Sequence, residues 1–305
     1  LYLIQNKIKQ LKDNLFIDQK NLRLLYLSYN LLEEISNKTF NGLVNIIELN
    51  IENNYLKGLQ KDGFINLKKL KKIGNFDFQN IKYIEPEAFL GLENLSNLEL
   101  NFNLLTQIQN NTFIGLISLE KLYITNNQIR YLERDAFNQL KNLTILNISH
   151  NRIKCLDFEV FKRFEKIQII YLIENKLLTF EIAIRLGLNK LNLNQNKLQS
   201  IKKIYFSNKN FSSINILSLR LNQISTIDPK SFEYLEKLEY MDMYSNCLSR
   251  IKREMLLGLI NLKRLELESN NIIYIQQNSF QDLKKLKLLS LKSNQLTSIY
   301  ERMFN

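Results

Sequence analysis

Residues 21–43 read NLRLLYLSYNLLEEISNKTFNGL, and the apolar positions Leu22, Leu25, Leu27, Leu32, Ile35, Phe40 and Leu43 fall around a central Asn30. The same order returns 24 residues later as Ile46, Leu49, Ile51, Asn54, Leu56, Leu59, Phe64 and Leu67. Further centres stand at Asn103, Asn127, Asn151, Asn175, Asn196, Asn222, Asn246, Asn270 and Asn294, with Asn6 opening the series and Gln79 filling the one gap. The thirteen registers cover the whole chain. A period of this length signals stacked units, none of which can bury its apolar face alone.

Each part of the repeat has a physical reason. In Leu25-Tyr26-Leu27 the two leucines face inward from a short strand and the residue between them faces out, as the two-residue period of a pleat requires. Where the chain turns inward after the strand, loop N–H and C=O groups lack ladder partners, and a buried asparagine amide can both donate and accept. The phenylalanine of each second half-repeat is read as core packing on the side away from the strands.

These positions, with the half-repeats ISNKTFNGL (35–43), IEPEAFLGL (84–92) and LERDAFNQL (132–140), resemble the leucine-rich-repeat family in its 24-residue form, over essentially all of the chain. The resemblance implies an α/β solenoid, a curved horseshoe with a parallel β-sheet on its concave face and loops and short helical turns on its convex face. It implies one domain over residues 1–305 that binds another macromolecule. The repeat type is similar to the ectodomains of Toll-like receptors, Slit and chaoptin-like adhesion proteins, which makes a secreted or cell-surface receptor or adhesion protein the expected function and an intracellular scaffold the alternative.

Two stretches depart from the template. Between Leu70 and Leu92 one extra residue is needed, Asn75 falls where an apolar residue belongs, and Gln79 replaces asparagine. From Phe180 to Phe211 the spacing becomes irregular: Asn175 to Asn196 is 21 residues and Asn196 to Asn222 is 26. Ligand contact or drift under weak constraint would each produce such a change, and drift is the simpler account.

Composition agrees with one continuous architecture: only eight Gly and two Pro occur in 305 residues, and no Ser/Gly-rich linker divides them. No apolar run is long enough to span a bilayer, so membrane contact is expected only through segments outside this chain. The chain opens and stops inside the pattern, and is read as a piece of a longer protein without its terminal caps. Cys155 and Cys247 lie about four strand steps apart, roughly 20 Å, beyond disulfide reach. Six N-x-S/T sequons occur, at Asn37, Asn94, Asn110, Asn142, Asn147 and Asn210, against about four expected by chance from composition.

The outward strand positions form the expected partner-binding face. Read between the two apolar strand residues and just beyond them, it comprises Tyr26, Tyr29, Glu48, Glu99, Phe102, Tyr123, His150, Tyr171, Glu174, Arg220, Asp242, Tyr244 and Glu266. Tyrosines suit an interface because they join apolar area to a polar tip; strand propensity alone also accounts for them. His150 is expected to face Glu174 one repeat on, an arrangement that would raise its pKa.

The net charge of +12 invites a polyanion reading, but acids gather on this face at Glu48, Glu52, Asp77 and Glu99 and again at Asp242, Glu266 and Glu268. Lysines crowd the approach to the strands instead, as in Lys68, Lys69, Lys71 and Lys72. A nucleic-acid groove on the strand face is disfavoured; a sulfated glycan could meet a basic flank. His150 is the only histidine, and no metal-ligand spacing, nucleophile context or phosphate-binding glycine loop occurs. A cofactor, a metal and catalysis are not expected.

Overall fold

The computed structural model describes residues 1–179, 187–202 and 213–301. Asn210, and the portions 180–186 and 203–211 of the irregular stretch, lie outside the described residues. The chain forms two compact units, one of Leu1–Arg152 with Arg163–Ile167 and one of Ile153–Lys162 with Gln168–Asn305. Each is a parallel β-solenoid.

In the first unit the strands Leu24–Tyr26, Glu48–Asn50 and Lys72–Ile73 form one parallel sheet, and Asn97–Glu99, Lys121–Tyr123 and Ile145–Asn147 pair in a second. The second unit stacks Ile169–Tyr171, Lys190–Asn192, Ile216–Ser218, Tyr240–Asp242, Arg264–Glu266 and Leu288–Ser290 in the same sense. Register places like residues opposite one another, so Leu98, Leu122 and Leu146 form one buried line and Ile170, Leu191, Leu217, Met241 and Leu265 another. Shorter pairs of strands, such as Gln107–Ile108 with Tyr131–Leu132, run on the opposite side of the coil. The expected helical turns are nearly all hydrogen-bonded turns; among the described residues only Phe158–Phe161 and Arg253–Met255 form 3-10 helices.

The asparagines tie each coil to its predecessor. Asn127 donates from Nδ2 to the carbonyl of Leu100 at 2.9 Å, and its Oδ1 accepts the N–H of Leu105 at 3.1 Å. Asn54, Asn103, Asn151, Asn222, Asn246, Asn270 and Asn294 make the same two bonds one coil back. Asn196 reaches Leu172 O and Leu177 N, so the ladder survives the 21- and 26-residue spacings. Asn175 accepts from Ile153 N, and Asn30 reaches back to Leu3 O and Ile8 N. Asn6 is exposed and donates to Ile4 O within its own coil. The longer Gln79 spans the gap through Ile51 O at 3.0 Å.

Delivering this amide inward requires a left-handed residue immediately before it. Gln5, Tyr29, Asn53, Phe78, Phe102, Asn126, His150, Glu174, Gln195, Leu221, Ser245, Ser269 and Ser293 all hold φ between 51° and 58°. Asparagine accepts that conformation readily; an aromatic or branched residue there is strained.

On the far side, Phe40, Phe64, Phe89, Phe113 and Phe137 stack at 5.7–6.3 Å, within 18° of parallel. After Phe40, Phe89 and Phe113 a glycine two residues on lies too close to the preceding coil's backbone for a side chain, whereas Asn66 and Gln139 take that place after Phe64 and Phe137. At Gly91, φ is +95° and a Cβ would lie 2.3 Å from the Phe64 carbonyl oxygen, and Gly42 repeats the situation against Phe16.

The register break resolves differently from expectation. Phe76, fully buried, takes the second apolar strand position: its N–H donates to Glu99 O, as that of Leu27 does to Asn50 O. Asn75 is therefore the inserted residue and does not occupy a core place. With this one extra residue between Ile73 and Phe76 the first sheet ends at Ile73, and the next sheet begins at Asn97. Bulges of this kind interrupt pairing because one strand carries a residue that the other cannot match.

Asn127→Leu leaves Leu105 N–H unpaired inside and strips Leu100 C=O of one of its two amide donors, the other being Asn103 Nδ2, and should lower unfolding free energy by about 1–3 kcal/mol. Faster hydrogen exchange should be confined to the adjoining coils; a uniform rise along the chain would contradict the nearest-neighbour account. Gly91→Ala should cost more than about 1 kcal/mol in urea denaturation, since it adds both a clash and a strained φ.

Candidate ligand-binding surface

The outward side chains of the first unit begin with Tyr2 and Tyr26, stacked at 4.8 Å. Beside them the register corrects one assignment: Asn50, not Glu48, lies opposite Tyr26, while Glu48 lies opposite Leu24 and Lys72. Glu48 still faces outward because it is two residues from Asn50. It bonds Lys72 Nζ at 2.8 Å. That bond, with a second from the Tyr26 hydroxyl, holds its carboxyl below the ordinary range, and the same carboxylate pushes the Tyr26 hydroxyl up.

Beyond the sheet break, Asp77 Oδ1 and Oδ2 accept from the backbone N–H and Nδ2 of Asn101 at 2.7 and 3.2 Å. Asn101 Oδ1 in turn accepts from Thr125 N and Oγ1. Burial raises the Asp77 pKa, and Glu99 and Glu52 add to the rise against the lowering effect of Asn101. The carboxyl thus binds its proton more tightly in the folded chain, so its contribution to stability is full at acid pH and is lost as pH rises through the raised value. Immediately after Asp77 and Asn101, Phe78 and Phe102 stand 59% and 46% exposed with rings 4.4 Å apart and 7° from parallel. A cleft of about 530 Å³ lies at the sheet break, lined by Glu48, Glu52, Lys71, Lys72, Asn75, Asn97 and Glu99 among others. Tyr29 and His150 are exposed, and Tyr123 is half-buried on the central strand.

The second unit carries a different arrangement. Asp242, expected on the exposed face, is 3% exposed. It accepts from Tyr244 N at 3.0 Å and Tyr240 Oη at 3.1 Å, and Arg220 Nε lies 3.6 Å away. The Arg220 guanidinium sits 4.6 Å over the Tyr244 ring. Arg264 bonds Glu266 at 2.6 Å and lies 5.3 Å over Tyr240, while Lys292 pairs with Glu268. Tyr171 is half-buried beneath the Lys190 ammonium at 5.2 Å, and Glu174 is exposed. Asp242, Glu266 and Glu268 are thus each matched by a base, whereas among the described residues no ion pair reaches Glu52, Asp77 or Glu99 in the first unit.

Sequence reasoning missed Phe78 and the Tyr240–Arg264 pair. The signal for Phe78 was available: it precedes Gln79 as Phe102 precedes Asn103, once the extra residue is placed before Phe76.

Of the sequon asparagines, Asn37 and Asn110 are exposed on turns. Asn94 and Asn142 donate to Lys68 O and Ile117 O, and Asn147 on its strand accepts from Ser149 N. Cys155 and Cys247 are exposed free thiols. Among the described residues no group of three or more His, Cys, Asp or Glu could hold a metal ion, and no helix is long and apolar enough to cross a membrane.

Replacing Glu99 by Gln should lower the pH at which Asp77 titrates, and Lys72→Met should raise that of Glu48, both read from carboxyl carbon NMR shifts. Unchanged midpoints would show that these neighbours do not set the two carboxylates.

Known proteins share this architecture. The family model described as leucine rich repeat matches residues 1–56, 20–74, 75–129, 117–177, 187–248, 212–272 and 260–305. Lumican of Bos taurus is 31% identical over 129 residues, 35% of this chain and 38% of that protein. Toll-like receptor 3 of Boselaphus tragocamelus is 30% identical over 93 residues, 30% of this chain and 10% of the receptor. The chain therefore matches well under half the length of either relative. Among solved structures, a leucine-rich-repeat protein of Leptospira interrogans superposes with a TM-score of 0.68 at 26% identity, covering 97% of this chain and 78% of that one. With matches from the first residue to the last and the parallel coils to go with them, the chain belongs to the leucine-rich-repeat family.

Proposed function

We propose that this chain is the ligand-binding array of a secreted or cell-surface receptor or adhesion protein, and that it engages a protein partner through its outward strand residues. The observation that carries this reading is the row of aromatic, carboxylate and arginine side chains held outward, coil after coil, by the buried leucines and the asparagine ladder. Such a row offers rigid aromatic anchors and charge at little cost in side-chain entropy, the composition that protein interfaces favour. The acids of the first unit favour a protein over a nucleic acid as partner. Similarity to a Toll-like receptor over part of the chain supports the receptor reading.

The exposed thiols of Cys155 and Cys247 favour a second reading, an intracellular scaffold, because reducing compartments keep such groups free. Glycopeptide mass spectrometry on the protein from its own source separates the two. Glycans at several of Asn37, Asn94, Asn110, Asn142, Asn147 and Asn210 are expected; bare asparagines throughout would select the scaffold. For the binding face, Tyr123→Ala should weaken capture of the native partner by about tenfold while leaving the melting curve unchanged. Undiminished capture by that variant would place the contact elsewhere.

A further inference from the structure

We propose that the stacked Phe78 and Phe102 rings, with the carboxylates beside them, form a docking site for an arginine-bearing segment of a protein partner. The proposal rests on the reading of the strand face as a partner-binding surface, and names the chemistry that one part of it selects.

Three features meet here. The first is the aromatic pair: two large rings, parallel and in van der Waals contact, and about half exposed. The second is charge. Asp77 and Asn101 directly precede the two rings and are bonded to each other, and burial, with Glu99 and Glu52 adding to it, raises the Asp77 pKa. None of these three carboxylates has a cation of its own among the described residues, although the chain carries a net charge of +12. The second unit shows what self-sufficiency looks like: Arg220, Arg264 and Lys292 each sit on an acid, and the two arginines also lie over a tyrosine ring. The Phe78 region has the acids and the rings but lacks the arginine.

The third feature is conformational. Phe78 and Phe102 hold φ of 58° and 52°. Asn53 and Asn126 occupy the neighbouring rungs of the same column in a conformation that suits asparagine. Bulky rings are the costlier backbone choice at these positions, a cost that their mutual stacking offsets in part.

The geometry favours guanidinium over ammonium. A planar cation can lie flat on a ring face while its edge donates to a carboxylate, as Arg264 does between Tyr240 and Glu266, whereas an ammonium is a compact, strongly hydrated point charge. Lys71 and Lys72 line the adjacent cleft together with Glu48, Glu52 and Glu99, and Lys72 is already engaged with Glu48.

The test uses three acetylated, amidated pentapeptides, Ala-Arg-Ala-Arg-Ala and its lysine and citrulline counterparts, titrated into the chain at low salt and followed by calorimetry and amide NMR. The arginine peptide should bind more tightly than the lysine one, and the neutral citrulline peptide should show at least about tenfold weaker binding. Shifts should centre on residues 76–79 and 100–103. Phe102→Asn and Phe78→Asn should each weaken arginine binding severalfold while raising the melting temperature, because asparagine suits the left-handed backbone. Asp77→Asn should also weaken binding, with melting followed as a control.

Equal binding of the citrulline peptide, shifts centred on another acidic patch, or full binding by both asparagine variants would each overturn the proposal. So would a heparin fragment or an acidic peptide displacing nothing yet shifting the same amides. If Phe102→Asn captures the native partner as well as the parent chain does while Tyr123→Ala does not, this site falls and the strand-face reading stands.

Discussion

A coil of this chain cannot satisfy its own backbone. After each strand the main chain turns inward, and N–H and C=O groups arrive in a dry interior without ladder partners. The asparagine amide resolves this from one coil ahead, with Nδ2 on a carbonyl such as Leu100 O and Oδ1 on an amide such as Leu105 N. Everything else follows from that dependence. The strands must be parallel and in register, because the amide reaches a fixed atom of its neighbour. The residue before the asparagine must be left-handed, because only that turn aims the amide inward. The phenylalanines follow the same spacing and stack on the far side, and at places such as Gly91 the chain runs too close to the preceding coil's backbone to carry a side chain.

Function occupies the positions that this arrangement leaves free. Outward residues of the strands and the left-handed column are not needed for packing, so their identities can vary without disturbing the core. Two solutions appear. Around Asp242 a buried carboxylate, two tyrosines and two arginines satisfy one another, giving a rigid and electrically quiet surface. Around Asp77 the carboxylates have amide donors but no cation, and the adjacent rings are bare. A surface of the second kind has more to gain from a partner, since association replaces incomplete solvation of a half-buried acid with a charge-assisted contact.

The repeat was legible because it is written in residue types with little freedom: Leu or Ile on the inner strand positions, asparagine at the ladder, phenylalanine at the stack. The site was legible only in part. Outward positions were recoverable wherever the spacing held, as for Tyr26, Glu99 and Tyr123, and slipped where it did not. Glu48 was misaligned by two residues, which keeps the face but changes the neighbour. Asn75 was assigned to the core because the position of an inserted residue depends on which side chain, Asn75 or Phe76, fills the interior, and packing decides that. Burial was the least legible property: Asp242 occupies an outward position yet is covered, because Tyr240 and Arg220 lean over it from the flanking positions.

The interruption between Ile73 and Asn97 also has a mechanical meaning. Elsewhere in the first unit consecutive coils are joined by a sheet ladder, an amide bridge and a ring stack. At this seam the sheet ladder is absent, and the coils are held by Phe76 N–H on Glu99 O, by the amide of Asn103 on Phe76 O, by Asn101 on the Asp77 carboxylate, and by the ring pairs Phe78–Phe102 and Phe89–Phe113. A solenoid shares load between neighbours only, so a pull along its axis concentrates strain at the most weakly joined pair. Here the joint draws on outward side chains as well as on the interior, so a change at Asp77, Phe78, Asn101 or Phe102 bears on the coupling of two coils and not only on the surface they present.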